Sequence, residues 1–230
     1  MYAKDELLAH NSYYAASCNL LPAQPTLKGE HTFDVCIVGA GLAGLSAALE
    51  LSNAGYRVAI LEGKRIGWGA SGRNGGQAIA GYACDQGPFE KQLGLDNAKI
   101  AFNITTEGLD LMRERIAKHN IHCDWVDGYM TASVKPKSTP DLYDWADRMS
   151  NTYGYTHLQK ITPKEMPNWV ASERYHAGVL DNNSAHLPPL KYTLAIARAA
   201  LRSGKKKKKK SVVTQVEKGV AGANATIKTE

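Results

Sequence analysis

Three glycines and one glutamate carry the clearest chemistry in this sequence. Gly39, Gly41 and Gly44 stand in the spacing GxGxxG, and Glu62 follows 18 residues after the last of them. In that spacing the first glycine lets the chain turn tightly off a strand. The second leaves room for a pyrophosphate to approach the backbone, and the third lets a helix lie close to a sheet. N–H groups at the helix start then face the diphosphate. A carboxylate at Glu62 can accept hydrogen bonds from both hydroxyls of an adenosine ribose, and it repels a 2′-phosphate, which argues against NADP. The competing reading is a glycine-rich turn that only packs a helix tightly, and it leaves the placement of Glu62 to accident.

The neighbouring elements must hold these groups in place. Phe33-Asp34-Val35-Cys36-Ile37-Val38 is a nearly continuous apolar run, as expected for a strand buried on both faces of a parallel sheet. Cys36 reads as a small buried residue of that strand. After the glycines the period changes, with Leu42, Leu45, Ala48 and Leu49 on one helical face. Asn53-Ala54-Gly55 ends the helix. Arg57 to Leu61 is the second strand, with Glu62 at its C-terminal edge.

This pattern alone does not separate FAD from NAD. The loop Ala70-Ser71-Gly72-Arg73-Asn74-Gly75-Gly76-Gln77 helps, because small residues, a hydroxyl, a guanidinium and an amide can wrap phosphate and ribitol oxygens. Arg73 adds positive charge, and the glycines let backbone donors converge. The plainer reading is a surface loop rich in turn formers. Trp68 and Tyr82 flank the loop and Tyr129 lies on a later strand. Each could line a substrate side, although such aromatics are more often packing residues. His186, just before two prolines, either touches substrate or cofactor, caps a helix or faces solvent.

Composition excludes several classes. Among 230 residues, 43% are hydrophobic and 22% charged, which is ordinary for a globular protein. The net charge of +6 suggests nucleic acid, but six of the 28 basic residues form the run Lys205–Lys210, and the remaining 22 match 22 acidic residues. A basic groove would spread its cations among aromatics, so no nucleic-acid partner is expected. No apolar run approaches the length of a membrane span, and Met1 to Leu20 lacks a signal pattern. No membrane association and a cytoplasmic location are therefore expected. Cys18, Cys36, Cys84 and Cys123 include no CxxC pair, so neither a zinc site nor a disulfide framework is expected.

Further along, residues 1–30 read as an arm. A helix is expected over 97–119 and a turn plus strand over 124–133. Thr139-Pro140 is read as a cap followed by a helix with Leu142, Trp145 and Met149 on one face. Thr162-Pro163-Lys164-Glu165 is a capping box for a short helix. A short strand is expected over 176–180, a helix over 189–203, and strands over 212–216 and 225–228.

The stretch Asp34 to Glu62, with Gly69-Ala70-Ser71-Gly72-Arg73-Asn74-Gly75-Gly76-Gln77, resembles the D-amino-acid oxidase/glycine oxidase superfamily of FAD-dependent oxidoreductases. Within it the resemblance is strongest to oxidases of gamma-glutamylputrescine, through Ser12-Tyr13-Tyr14-Ala15-Ala16-Ser17, Arg113-Glu114-Arg115-Ile116, and Leu180-Asp181 leading to His186, Pro189 and Leu190. The resemblance implies an α/β fold: an FAD/NAD(P)-binding, Rossmann-like three-layer domain of the glutathione-reductase-2 type with the start of an interleaved α+β substrate domain. It divides the chain into an arm (1–30), a first part of the FAD domain (31–120), a partial substrate segment (121–185) and a return to the FAD domain (186–230).

The resemblance also implies roles. Gly39, Gly41 and Gly44 line the diphosphate of FAD and Glu62 binds the adenosine ribose. Lys64 or Arg65 lies near the adenine end. Ser71, Arg73, Asn74, Gly75, Gly76 and Gln77 run toward the flavin ring, and the strand of Val216 touches adenine. Such enzymes take a hydride from the carbon beside an amine. Oxygen then becomes hydrogen peroxide, and the imine hydrolyses to aldehyde and ammonia. Oxidation of glycine, sarcosine or a D-amino acid is the alternative within the superfamily. No catalytic acid or base is assigned.

Two departures from the family pattern stand out. Family members run on past the equivalent of Glu230 and close a further glycine-containing segment over the flavin. The chain is therefore expected to grip the ADP half without completing the flavin pocket, and a nucleotide-binding fragment stands as the non-enzyme reading. The run Lys205–Lys210 falls where a strand enters the FAD sheet. Six adjacent lysines repel one another, so a solvated loop is expected, with the strand beginning only at Ser211.

Overall fold

The described elements of this computed structural model run α1 (Tyr13–Ala16), β1 (Val35–Val38), α2 (Leu42–Asn53), β2 (Val58–Glu62), β3 (Gln77–Ala78), α3 (Gln86–Leu93), α4 (Leu95–His119), β4 (Val126–Ser133), α5 (Thr139–Tyr153), β5 (Leu158–Ile161), β6 (Ala177–His186), α6 (Pro189–Ser203), β7 (Lys209–Lys210), β8 (Val213–Glu217) and β9 (Thr226–Thr229). The structure describes residues 12–22, 27 and 29–203, and the backbone of the strands at 209–210, 213–217 and 226–229. They group into two compact units. One comprises Met1–Gly75, Ile121–Cys123 and Pro188–Glu230, and the other Gly76–Asn120 and Asp124–Leu187. By compactness, residues 76–120 go with the second unit, whereas the sequence division groups them with the FAD domain.

In the first unit, β1 and β2 pair in parallel from Val35↔Val58 to Val38↔Leu61. Parallel neighbours need a crossover connection, and α2 supplies it. Leu45, Ala48 and Leu49 of α2 are buried. The helix packs chiefly on α6, whose Leu194, Ile196, Ala197 and Ala199 are all within 2% of complete burial. Gly55, at φ +91°, ends α2 as expected. The expectation for β1 is corrected: Cys36 and Val38 are exposed, and only Val35 and Ile37 turn inward. One helix face covers one sheet face, and β1 alternates accordingly.

Of the lysine run, Lys205 to Lys208 lie outside the described residues, and the expectation of a loop is corrected at its last two residues. Lys209 and Lys210 pair in parallel with Leu61 and Glu62, giving the order β1–β2–β7 among the described strands. A ladder uses backbone N–H and C=O groups, which lysine supplies as well as valine does. The two later strands form a separate antiparallel pair in which Val216 stands opposite Ile227.

In the second unit, β3, β6 and β4 form a sheet, with β5 also on β6. Strand β6 was expected over 176–180 but continues to His186. Its Asp181-Asn182-Asn183-Ser184 reads locally as a turn. The Asp181 carboxylate accepts the N–H groups of Asn183 (3.0 Å) and Ser184 (3.2 Å), and the ladder resumes beyond an irregularity between Asp127 and Tyr129. Phe102, Met149, Tyr153 and Tyr155 form one core cluster, while Ile161, Met166 and Leu180 form another. Of the residues expected on the apolar face of α5, Met149 is buried, whereas Trp145 is 40% exposed and Ala146 is buried in its place. Ser138, not Thr139, is the N-cap of α5. The Thr162–Glu165 box forms in part, since Glu165 accepts both the N–H and the hydroxyl of Thr162, and a short 3-10 turn follows. Helix α3 was not anticipated. No helix among the described residues is long and apolar enough to cross a membrane.

Candidate functional site

The first glycine turn links β1 to α2, and its three glycines meet three different constraints. Gly39 has φ +97°, a left-handed conformation that favours glycine, and among the described residues, its chain neighbours aside, no atom lies within 4 Å of where its Cβ would be. A Cβ on Gly44 would stand 2.2 Å from the carbonyl O of Gly39 and 3.1 Å from Ile37 Cγ2, so helix and strand approach too closely for any side chain. Gly41, the N-cap, has extended φ and ψ (−82°, −178°) that any residue adopts. Its Cβ position lies 2.8 Å from Ser71 Oγ.

The N-terminus of α2 holds backbone donors in reserve. Leu42 N–H donates to Ser71 Oγ at 2.9 Å and Leu45 N–H donates to Gly41 O at 2.9 Å. Among the described residues, no acceptor serves the N–H groups of Gly41, Ala43 or Gly44. The first turn carries no acidic side chain to neutralise the positive end of the helix.

Glu62, at the end of β2, is fixed through its carboxylate. Oε2 accepts Ala40 N–H at 2.8 Å, and Oε1 accepts Lys64 N–H at 2.8 Å. Each oxygen keeps acceptor capacity for a further donor.

A second turn leans on the first. Gly67-Trp68-Gly69-Ala70-Ser71-Gly72 has the same GxGxxG spacing, a signal that the sequence also carries. Its geometry repeats the first. Gly67 has φ +70°, and a Cβ on Gly72 would stand 2.2 Å from Gly67 O. Gly69 occupies the N-cap place with φ −77° and ψ −153° before the short 3-10 turn Ala70–Gly72. Gly67 N–H donates to Ala40 O at 3.1 Å. The buried Thr193 of α6 shares its one hydroxyl proton between Ser71 O (3.0 Å) and Pro189 O (2.8 Å). Thr193 was not foreseen, because only the tertiary fold brings α6 to this turn.

The remaining expected residues are placed as follows. The Arg73 guanidinium lies 4.2 Å from the Trp68 ring centre and Lys64 Nζ 5.9 Å from it. Trp68 Nε1 is buried without an acceptor among the described residues. Arg65 accepts Trp68 N–H through its carbonyl at 2.9 Å. Asn74 Nδ2 donates to Ala70 O at 3.0 Å, and Gly75 is exposed. Gly76 and Gln77 open the second unit. There Gly76 O accepts Leu187 N–H at 2.9 Å, and Gln77 pairs with His186. His186 ends β6 and is exposed. Tyr82 stacks on Phe89 with centroids 4.8 Å apart and donates to Ala101 O at 3.0 Å. Tyr129 is half-buried on β4.

A parallel β–α–β unit with a glycine turn, free N–H groups at the helix start and a carboxylate at the second strand's end has the form of a Rossmann-like nucleotide-binding fold. The open space at Gly39 and the uncommitted donors of Gly41, Ala43 and Gly44 suit a dinucleotide diphosphate. The sequence matches the FAD dependent oxidoreductase family over residues 34–230, and the chain belongs to that family, within the D-amino-acid oxidase/glycine oxidase superfamily. Its cofactor is FAD.

The chain is 40% identical over 208 residues to the probable oxidoreductase OrdL of Haemophilus influenzae, covering 90% of this chain and 48% of that protein. It is 38% identical over 207 residues to the gamma-glutamylputrescine oxidoreductase of Escherichia coli, with the same coverage of 90% and 48%. It thus spans about half the length of these curated relatives. Among solved structures, L-amino acid deaminase from Proteus myxofaciens aligns with TM-score 0.73 at 22% identity, over 93% of this chain and 46% of that one. Glycine oxidase from Geobacillus kaustophilus aligns with TM-score 0.67 at 21% identity, over 87% and 52%. These likenesses concern the fold.

Proposed function

We propose that this chain is the nucleotide-binding part of an FAD-dependent amine oxidase, with gamma-glutamylputrescine as substrate. The observation that carries the reading is the fixed carboxylate of Glu62 beside the uncommitted N–H groups of the first glycine turn. The identity to a gamma-glutamylputrescine oxidoreductase supports the substrate. When bound, FAD supplies a hydride acceptor for the carbon beside the amine and passes the electrons to O2, leaving H2O2 and an imine that water cleaves to aldehyde and ammonia.

The protein's part is to bind and orient. The N–H groups of Gly41, Ala43 and Gly44 donate to diphosphate oxygens at the positive end of α2. Glu62 accepts the ribose hydroxyls on the lone pairs that Ala40 and Lys64 leave free. Lys64 or Arg65 lies toward adenine, with the backbone of Val216 on that side. Arg73, held over Trp68, adds positive charge near the diphosphate. The fold is of the three-layer glutathione-reductase-2 type, the second unit begins the substrate half, and the protein acts in the cytoplasm.

The test is direct. The purified chain is passed through gel filtration after incubation with FAD, and its visible flavin bands are recorded. Bands that co-elute support the site; none at saturating FAD overturns it. Bleaching without air by gamma-glutamylputrescine, and not by glycine or D-alanine, supports the substrate. The reverse pattern overturns it.

A further inference from the structure

The usual reason for a glycine at the second position of the turn is the close approach of the diphosphate. The local geometry gives another. The backbone of Gly41 (φ −82°, ψ −178°) would accept any residue. What fills its Cβ position is Ser71 Oγ, at 2.8 Å, and that hydroxyl also takes Leu42 N–H at 2.9 Å.

Helix α2 therefore begins without a capping side chain of its own, since its N-cap residue is glycine. A serine 29 residues away caps it through space. The two glycine turns meet at this point. Their first glycines share a positive φ, although the Cβ position is open at Gly39 and is met at 3.0 Å by Leu190 and Thr193 at Gly67, and their third glycines each lie against a carbonyl oxygen at 2.2 Å. At the middle glycine they differ, because Gly69 has nothing within 4 Å of its Cβ position and Gly41 has Ser71. Ser71 is itself held, its carbonyl by Thr193 Oγ1 at 3.0 Å.

We infer that Gly41 and Ser71 form one coupled unit, in which Ser71 is a positioning residue whose hydroxyl occupies the place of a side chain at Gly41 and sets the donors that face the diphosphate. The inference rests on the FAD reading of the first turn. It makes the requirement for glycine at 41 conditional on the hydroxyl at 71. A methyl at 41 displaces the hydroxyl and frees Leu42 N–H; removing the hydroxyl frees the same N–H. Once one change is made, the other has little left to break.

A double-mutant cycle tests this. FAD affinity is measured by flavin fluorescence titration, and melting temperature is measured without FAD, for the unaltered chain, Gly41→Ala, Ser71→Ala and the double variant. Each single change is expected to weaken FAD binding about 10-fold, as for loss of one hydrogen bond. The double variant is expected to be no weaker than the worse single. If the ligand itself excludes a methyl at 41, the losses multiply to about 100-fold, and the coupling is overturned. Where Gly41→Ala fails to fold, folding of the double variant supports the coupling, and failure of the double beside a folded Ser71→Ala overturns it. If the unaltered chain takes up no FAD, the cofactor reading fails by itself. The melting temperatures then decide the coupling: equal single and double losses support it, and additive losses overturn it.

Discussion

Glu62 reaches back 22 residues to accept the N–H of Ala40 at 2.8 Å. Ala40 lies inside the glycine turn and is almost fully buried. The acid at the end of β2 and the turn at the end of β1 are thus one piece, tied by a charge-assisted bond. The other carboxylate oxygen holds Lys64 N–H, so the carboxylate is oriented before any ligand arrives.

Glu62→Ala is therefore expected to do two things. Loss of even one hydrogen bond to a charged group, worth roughly 1.5–3 kcal/mol, should weaken FAD binding by at least about 10- to 100-fold in a fluorescence titration. The melting temperature without FAD should also fall, because Ala40 N–H is left unpaired. Weaker binding with an unchanged melting temperature would show that the bond to Ala40 contributes nothing to the fold.

Gly44→Ala and Gly72→Ala should act alike. In each turn a methyl would stand 2.2 Å from a carbonyl oxygen five residues earlier in the chain. Backbone must move to admit it, and such overpacking costs about 1–3 kcal/mol or more. Urea denaturation should show both variants destabilised, with Gly72→Ala also displacing Leu190 Cδ1 at 2.9 Å. A variant as stable as the parent would remove the case for close packing at that turn.

Asp181→Asn should destabilise the second unit. The carboxylate accepts the Tyr155 hydroxyl (2.8 Å), the Ser184 hydroxyl (2.6 Å) and two backbone N–H groups. An amide nitrogen at this buried position faces donors on one side, and an unsatisfied buried group costs about 1–3 kcal/mol. Amide hydrogen exchange along β6 should quicken in the variant. Unchanged protection at residues 182–185 would refute the role given to Asp181 in carrying the strand through a polar stretch.

Stability should fall at both ends of the pH scale for one shared reason. Burial, with Glu90 as hydrogen-bond partner and nearby charge, pushes the Tyr153 hydroxyl from 10.0 up to about 12. The unfolded chain then loses its proton first, so stability is full below pH 10 and drains as pH rises toward 12. Glu90 is held below its ordinary 4.5 by the Tyr153 hydroxyl and then by Arg148. Its contribution is present above pH 4.5 and is lost as pH falls through the lowered value. Denaturation midpoints across pH should show a flatter alkaline limb in Tyr153→Phe and a flatter acid limb in Glu90→Gln. Limbs that match the parent's would rule these groups out as their source.

Much of the first unit was legible because its signals are local. The change from a strand run to helical period at Gly39, the stop at Gly55 and the acid closing β2 lie within one β–α–β unit, so spacing alone placed them. The segment Asp181-Asn182-Asn183-Ser184 misled for the opposite reason. Its residues favour turns when read alone, and a strand passes through them only because side-chain acceptors and the neighbouring strand satisfy their backbone. Cys36 misled similarly: its apolar run does not reveal which sheet face a helix will cover.

By itself, then, the sequence determined the β–α–β unit, its glycine turn and the acid at Glu62, while FAD rather than another dinucleotide came from the family resemblance. The unit, the turn and the acid follow from periodicity, backbone freedom at glycine and the position of one charge. Only the tertiary structure decided what the turn rests on. Ser71 stands where Gly41 lacks a side chain, Thr193 holds Ser71 from a distant helix, and two lysines extend the parallel sheet beside Glu62. Those contacts join residues far apart in the chain, and short-range patterns do not encode which surfaces meet once the chain has packed.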